Sequence, residues 1–287
     1  MRQFAFGRIT AALLLLAACP NKSGATSIAD LSLIYHVSFD DGTLNPDVDT
    51  RAIGAMTLGS SETSGANPTW VLEDGGLTLG VTQPVGTTAP VSSGVFATPV
   101  DFGPGSILGM RATFTAPSGP HSAGSIWAVS LGARTGDESD LAGETRAGAT
   151  LQSRGNVARL NVVGASVPPT PVNLAPAAFD ALYSITNPNV FTLELIVDRV
   201  GGVGYEALYF GQTNVFSRSF TYAAFLPDGG PSITSIGPSI AISTAPGQTA
   251  SVRLLDFQVF SVGESSEGIL PIAVIFLFLI GRWRRAR

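Results

Sequence analysis

Apolar and polar residues alternate in short runs along most of this chain, and turn-forming residues separate the runs. Leu33, Tyr35, Val37 and Phe39 alternate with Ser32, Ile34, His36 and Ser38, and Asp40-Asp41-Gly42-Thr43 follows as a turn. A strand places successive side chains on opposite faces, so such a run predicts one face on a core and one toward solvent. Phe191, Leu193, Leu195 and Val197 repeat the pattern against Thr192, Glu194, Ile196 and Asp198, and Leu255, Phe257 and Val259 predict a closing strand. Further strands are predicted over 107–116, 125–134, 205–210 and 215–222, with Trp127 on the core side beside Val129 and Leu131. Residues 70–80 read as two strands around Gly75-Gly76, and Arg154-Gly155-Asn156 as the turn of a hairpin joining 151–153 to 157–163. One helix-like piece stands at 176–184, with Pro176 in its first turn. The sum predicts an all-β, two-sheet antiparallel sandwich.

The two ends break this pattern. At the front, Arg2 and Arg8 precede and flank an apolar run that reaches Leu16-Ala17-Ala18-Cys19, the layout of a secretory signal helix over residues 1–25. Leu16-Ala17-Ala18-Cys19 resembles a bacterial lipobox, which implies lipid attachment at Cys19. Cys19 is the single cysteine of the chain, so no intramolecular disulfide competes for it. An ordinary signal cut after Ala18 or Ala25 is the alternative.

At the back, twelve residues from Ile269 to Ile280 form an apolar run, and Arg282, Arg284, Arg285 and Arg287 follow. As a helix the run spans ~18 Å, short of the about 30 Å of a hydrocarbon core. Polar spacer, short hydrophobic helix and arginine cluster over 264–287 resemble PEP-CTERM sorting tails, although Glu267-Gly268-Ile269-Leu270-Pro271 lacks the Pro-Glu-Pro. A short uncleaved anchor helix is the other reading. Both ends point to an exported bacterial protein at the cell surface or outer envelope, with the envelope membrane as a partner.

Between the ends, residues 28–263 suffice for one large β domain. Only 13% of the chain is charged, and 33 Gly and 19 Pro punctuate it. All 21 acidic residues fall within 26–268 against nine arginines and no lysine, a net charge of −12. That balance excludes nucleic acid as a partner and disfavours acidic polysaccharides.

An opening strand that ends in Phe39-Asp40-Asp41-Gly42-Thr43 and a closing strand Leu255-Asp256-Phe257-Gln258-Val259-Phe260 resemble the first and last strands of concanavalin A-like lectin/glucanase domains, the LamG-like group included. Phe191 to Arg199, a Gly-rich turn and a Tyr-containing strand resemble the family's centre. The resemblance covers about 31–263 and implies a jelly-roll sandwich whose first and last strands pair. It also implies sugar binding on a sheet face or a rim of loops.

Candidate chemistry is sparse. Laminarinase-like hydrolases on this fold carry Glu-x-Asp-x-x-Glu, but here Glu138-Ser139-Asp140 is followed by Glu144 one residue too late. Glu194 and Asp198 lie ~13 Å apart along a strand, too far for paired glycosidase carboxyls. His36 and His121 are the only histidines, too few for a His-based zinc site. Asp40, Asp41, Asp47 and Asp49 crowd one loop with oxygen donors of the kind Ca²⁺ takes, so Ca²⁺ is the one candidate cofactor. An acidic surface turn explains the same spacing. Gln152, Arg159 and Asn161, with Glu194 and Asp198, form a polar face suited to sugar hydroxyls if their strands are neighbours.

The sequence therefore reads as a surface-associated, non-catalytic binding or structural protein that recognises polysaccharide. The alternatives are a divergent glycoside hydrolase and a purely structural matrix component. Replacing Cys19 by Ser is expected to abolish acyl labelling and shift the protein to the soluble fraction. An unchanged membrane fraction would assign anchoring to the C-terminal tail.

Overall fold

The computed structural model describes residues 27–61, 68–73, 75–82, 91–97, 107–115, 126–134, 145–154, 157–163, 171–174, 190–198, 202–221, 235–243 and 249–262. The signal segment, the C-terminal tail, the helix-like piece at 176–184 and the Glu138–Glu144 acids lie outside them. Among the described residues no helix is long and apolar enough to cross a membrane.

The strands in chain order are β1 (Ser32–Val37), β2 (Val48–Asp49), β3 (Thr57–Ser61), β4 (Pro68–Glu73), β5 (Gly76–Thr82), β6 (Val91–Phe96), β7 (Ile107–Thr115), β8 (Ile126–Arg134), β9 (Thr145–Arg154), β10 (Val157–Val163), β11 (Val172–Asn173), β12 (Val190–Asp198), β13 (Val203–Phe210), β14 (Thr213–Thr221), β15 (Ser235–Ser243) and β16 (Thr249–Ser261). They form two antiparallel sheets. The first has nine strands, in the order β14-β13-β12-β7-β16-β1-β2, with the β4–β5 hairpin attached to β16. The second has seven, in the order β11-β10-β9-β8-β15-β6-β3. First and last strands pair, Val37 opposite Phe257 and Ser32 opposite Ser261, as the sequence resemblance implies. The architecture is an all-β antiparallel jelly-roll sandwich.

The core lies between the sheets and is made by the predicted alternation. Phe191, Leu193, Leu195 and Val197 are fully buried, as are Tyr35, Val37 and Phe39. Phe114 stacks on Phe191 across the β7–β12 ladder, with ring centroids 5.3 Å apart. The second sheet contributes Val129, Leu131, Leu151, Leu160 and Ile240. Each such side chain is worth about 1.5–3 kcal/mol when removed from water.

Two predicted faces are corrected. Leu33 is exposed although Tyr35 is buried, because the β1–β16 register shifts between Leu33 and Tyr35. In β16, Leu254 rather than Leu255 is buried. A register shift lies between Leu254 and Asp256, which face Phe114 and Thr113 on β7. The bulge inserts one residue and reverses the strand's phase. Val252 and Leu254 point inward before it, and Phe257 and Val259 after it. Asp256 and Gln258 are thereby left on the outer face.

That outer face of the nine-stranded sheet is covered at one end by the chain's entry. Ser27 caps a 3-10 turn, Ile28–Asp30, its hydroxyl accepting from the Ala29 N–H at 3.2 Å. Ile28 and Leu31 pack on Ile107, Ile196, Phe260 and Tyr205. Gly109 makes room: a Cβ there would approach Leu31 Cδ1 to 2.8 Å.

One buried ion pair stands apart from the groove described below. Glu206 and Arg218 are cross-strand partners on β13 and β14, and Arg218 Nε donates to Glu206 Oε1 at 2.6 Å. Glu206 is fully buried, and its Oε2 has no hydrogen-bond partner. Burial pushes its carboxyl up to about 7, against the opposing pull of Arg218. The native state thus keeps a proton on Glu206 that the unfolded chain releases near 4.5. This contribution to stability is complete below about pH 4.5 and is lost as pH rises through 7, about 3 kcal/mol in all. Chemical denaturation of the wild type and Glu206→Gln across pH 4–8 should show this decline only in the wild type. Parallel curves would remove the assignment.

Candidate functional site

Beside the covered end, the outer face of the nine-stranded sheet turns polar. The register lines up two rows across the strands. Tyr209, Thr192, Thr113 and Asp256 form one, on β13, β12, β7 and β16. Ala207, Glu194, Arg111, Gln258 and His36 form the next, ending on β1. With strands about 4.8 Å apart, four positions span about 14 Å. The side chains of both rows other than Ala207 and His36, with Gly211 and Gln212 of the β13–β14 turn, line a groove of ≈ 420 Å³, and His36 stands behind Asp256.

The groove is held by charge pairs. Arg111 Nε and Nη2 both donate to Glu194 Oε1, at 2.8 and 2.5 Å. Tyr209 donates its phenolic proton to Glu194 Oε2 at 3.1 Å. Glu194 is almost fully buried, so these three donors replace its hydration. Arg111 also sits 5.6 Å above the Phe260 ring, which ties the polar rows to the apolar end. Burial and the Glu194 charge push the Tyr209 phenol up. The Thr113 and Thr192 hydroxyls bond to each other at 3.1 Å.

At the other wall, His36 Nε2 lies 2.5 Å from Asp256 Oδ2, and His36 Nδ1 lies 3.8 Å from Asp47. The imidazole therefore stands between two carboxylates. Burial pushes the Asp256 carboxyl up, while the hydrogen bond and charge of His36 oppose the shift.

Of the residues expected from sequence to bind sugar, only Glu194 lines this groove. Asp198 shares its strand face but lies four residues along, opposite Ile107 and Val203, and is buried. Gln152, Arg159 and Asn161 belong to β9 and β10 of the other sheet. There Arg159 is opposite Gln152, and Asn161 opposite Thr150. The expected single face of five residues is thus two faces on separate sheets. The pairing order, β12 between β7 and β13 and β9 between β8 and β10, keeps them apart.

The acidic loop of Asp40, Asp41, Asp47 and Asp49 is knit together by local hydrogen bonds. Its carboxylates satisfy the loop's own donors. Asp41 accepts from the Thr43 N–H at 2.9 Å and hydroxyl at 2.8 Å. Asp47 accepts from the Ser38 N–H at 2.7 Å. Asp49 accepts from the N–H groups of Arg51, Ile53 and Gly54. Desolvation raises the Asp49 carboxyl, but backbone donors from Gly54, Ile53, Arg51 and Ala52 outweigh it and the net shift is downward. Asp40 instead lies against the β4–β5 turn, near Gly75. Among the described residues no three His, Cys, Asp or Glu side chains form a group that could hold a metal ion.

Sequence reasoning missed Arg111, Thr113, Thr192, Tyr209, Asp256, Gln258 and His36. The signal was present as polar residues two apart: Arg111 and Thr113, Thr192 and Glu194, Asp256 and Gln258.

No family model matches the chain, and no curated protein matches it. Solved structures similar to it include a protein of unknown function from Shewanella oneidensis MR-1, at 13% identity, covering 91% of this chain and 96% of that one, with a TM-score of 0.48. The metal-free lectin I-B4 from Griffonia simplicifolia is 12% identical, with coverage of 79% and 98% and a TM-score of 0.47. Arcelin-5, a lectin-like defense protein from Phaseolus vulgaris, is 13% identical, with coverage of 72% and 92% and a TM-score of 0.46. These are likenesses of overall shape; the sandwich assignment stands on the strand order itself.

Replacing Arg111 by Met would leave Glu194 buried with one phenolic donor. The expected loss is about 2–3 kcal/mol of stability, read as a lowered urea midpoint. Restoring it with Glu194→Gln in the same chain would confirm the pair, and an unchanged midpoint in the single variant would dismiss it.

Proposed function

We propose that the protein is an exported, surface-associated, non-catalytic binding module that holds a polysaccharide chain in the groove on the outer face of β13, β12, β7 and β16. The observation that carries this reading is the two aligned rows of donors and acceptors lining a ≈ 420 Å³ groove. Sugar hydroxyls both donate and accept, and Thr113, Thr192, Gln258 and Gln212 can do both in return. Tyr209 adds an aromatic ring at the β13 wall.

Binding is favoured over hydrolysis because both groove carboxylates are already engaged, Glu194 by Arg111 and Asp256 by His36. The export component rests on residues 1–25, and surface attachment on Cys19 or on the tail 264–287.

A glycan array probed with the full-length protein in detergent should retain polysaccharide. Thr113→Val with Thr192→Val removes the hydroxyl pair at nearly constant shape. It should weaken binding about tenfold while leaving stability nearly unchanged. Retention of no glycan at high protein concentration would end this reading, and release of reducing sugar would replace it with the glycoside hydrolase.

A further inference from the structure

Resting on the groove's role as a glycan site, we propose that it accepts uncharged sugar chains and rejects chains bearing carboxylate, sulfate or phosphate groups, with Asp256 as the residue that discriminates. Most of the charge in the groove is already paired. The groove is lined by two carboxylates, Glu194 and Asp256, and one guanidinium, Arg111. Arg111 places two of its N–H groups on Glu194 and its face over Phe260. Its charge is thus matched within the wall, and a ligand anion gains little from it.

Asp256 is the charge left over. Its hydrogen-bonded partner is His36, which is itself shared with Asp47 on the far side of the ring, and the Arg111 guanidinium that also acts on it is already committed to Glu194. An anionic group entering the groove therefore meets the Asp256 and Glu194 carboxylates, with a third, Asp47, on the far side of His36. Asp256 keeps 25% of its side chain exposed and Glu194 only 4%, so water screens this repulsion less than at an open surface. An uncharged hydroxyl meets the same oxygens as acceptors and loses nothing.

The bulge in β16 makes this specificity local. Without the phase reversal between Leu254 and Asp256, Asp256 would point into the core. The feature that turns the acid outward is thus the one that sets the groove's sign.

The test uses the full-length protein in detergent at pH 7.5. The probes are cellohexaose, laminarihexaose and maltohexaose, each paired with its C6-oxidised uronate form. The pairing keeps the backbone constant and changes only the charge. For whichever hexaose binds, the neutral form should bind at least tenfold more tightly than its oxidised partner. Raising NaCl from ~50 to ~500 mM, which shortens the screening length well below 10 Å, should narrow that gap. Asp256→Asn should cut the neutral-to-anionic ratio about tenfold, and the salt series on the wild type gives a second reading if the variant folds poorly. Equal affinities for the two forms, or a ratio indifferent to both salt and Asp256→Asn, would overturn this inference and leave the glycan site standing. Failure of all six probes to bind, together with retention of no glycan on the array, would overturn both.

Discussion

The phase reversal in β16 is the constraint on which the rest of the structure depends. This thirteen-residue strand pairs with β5 along one edge at its start, with β1 at its end, and with β7 along the other edge. A strict two-residue alternation could not bury both Val252 and Leu254 and both Phe257 and Val259 on the same side. One inserted residue reconciles the two halves. The same insertion delivers Asp256 and Gln258 to the outer face. Core and groove are consequences of a single irregularity.

The outer face then divides by what covers it. Where Gly109 lets the entering chain lie flat, Ile28 and Leu31 shield Ile107, Ile196 and Phe260 from water. Two residues further along each strand the pattern changes to Arg111, Glu194 and Gln258. Glu194 could not be buried there alone, and the cost of its desolvation is met by two guanidinium bonds and one phenol. Glu206 shows the contrasting case. One of its carboxylate oxygens is paired with Arg218 and the other is not, and burial raises its proton affinity. Two buried glutamates in neighbouring strands thus differ in how completely their oxygens are satisfied.

Legibility followed the range of the interaction. The core face of β12 could be read residue by residue, since Phe191, Leu193, Leu195 and Val197 are all buried, whereas Glu194, Ile196 and Asp198 on its outer face are buried as well instead of facing solvent. Leu33 and Leu255 misled because bulges leave no composition signal in these strands. The site was partly legible: Glu194 was visible as a polar residue on an outer face, and Gln152, Arg159 and Asn161 do share one face with each other. What could not be read was that β9 and β12 lie in different sheets, or that β7 and β16 flank each other with more than a hundred residues between them. Likewise the Asp40–Asp49 loop has a cation-binding composition, and only its path shows that Asp41, Asp47 and Asp49 turn oxygens toward local N–H groups.

By itself, then, the sequence determined where most of the strands form (though not β3, β6 or β15), which of their residues face inward along unbroken runs, and the acidic, lysine-free character of the domain. Those properties depend on neighbours one or two positions away or on composition alone. Only the tertiary structure decided that His36, Arg111, Glu194 and Asp256 meet. They come from four strands brought together by hydrogen-bond ladders whose order is set by the packing of two whole sheets. No local pattern encodes that order, because each strand's alternation is equally satisfied beside any partner that buries the same face.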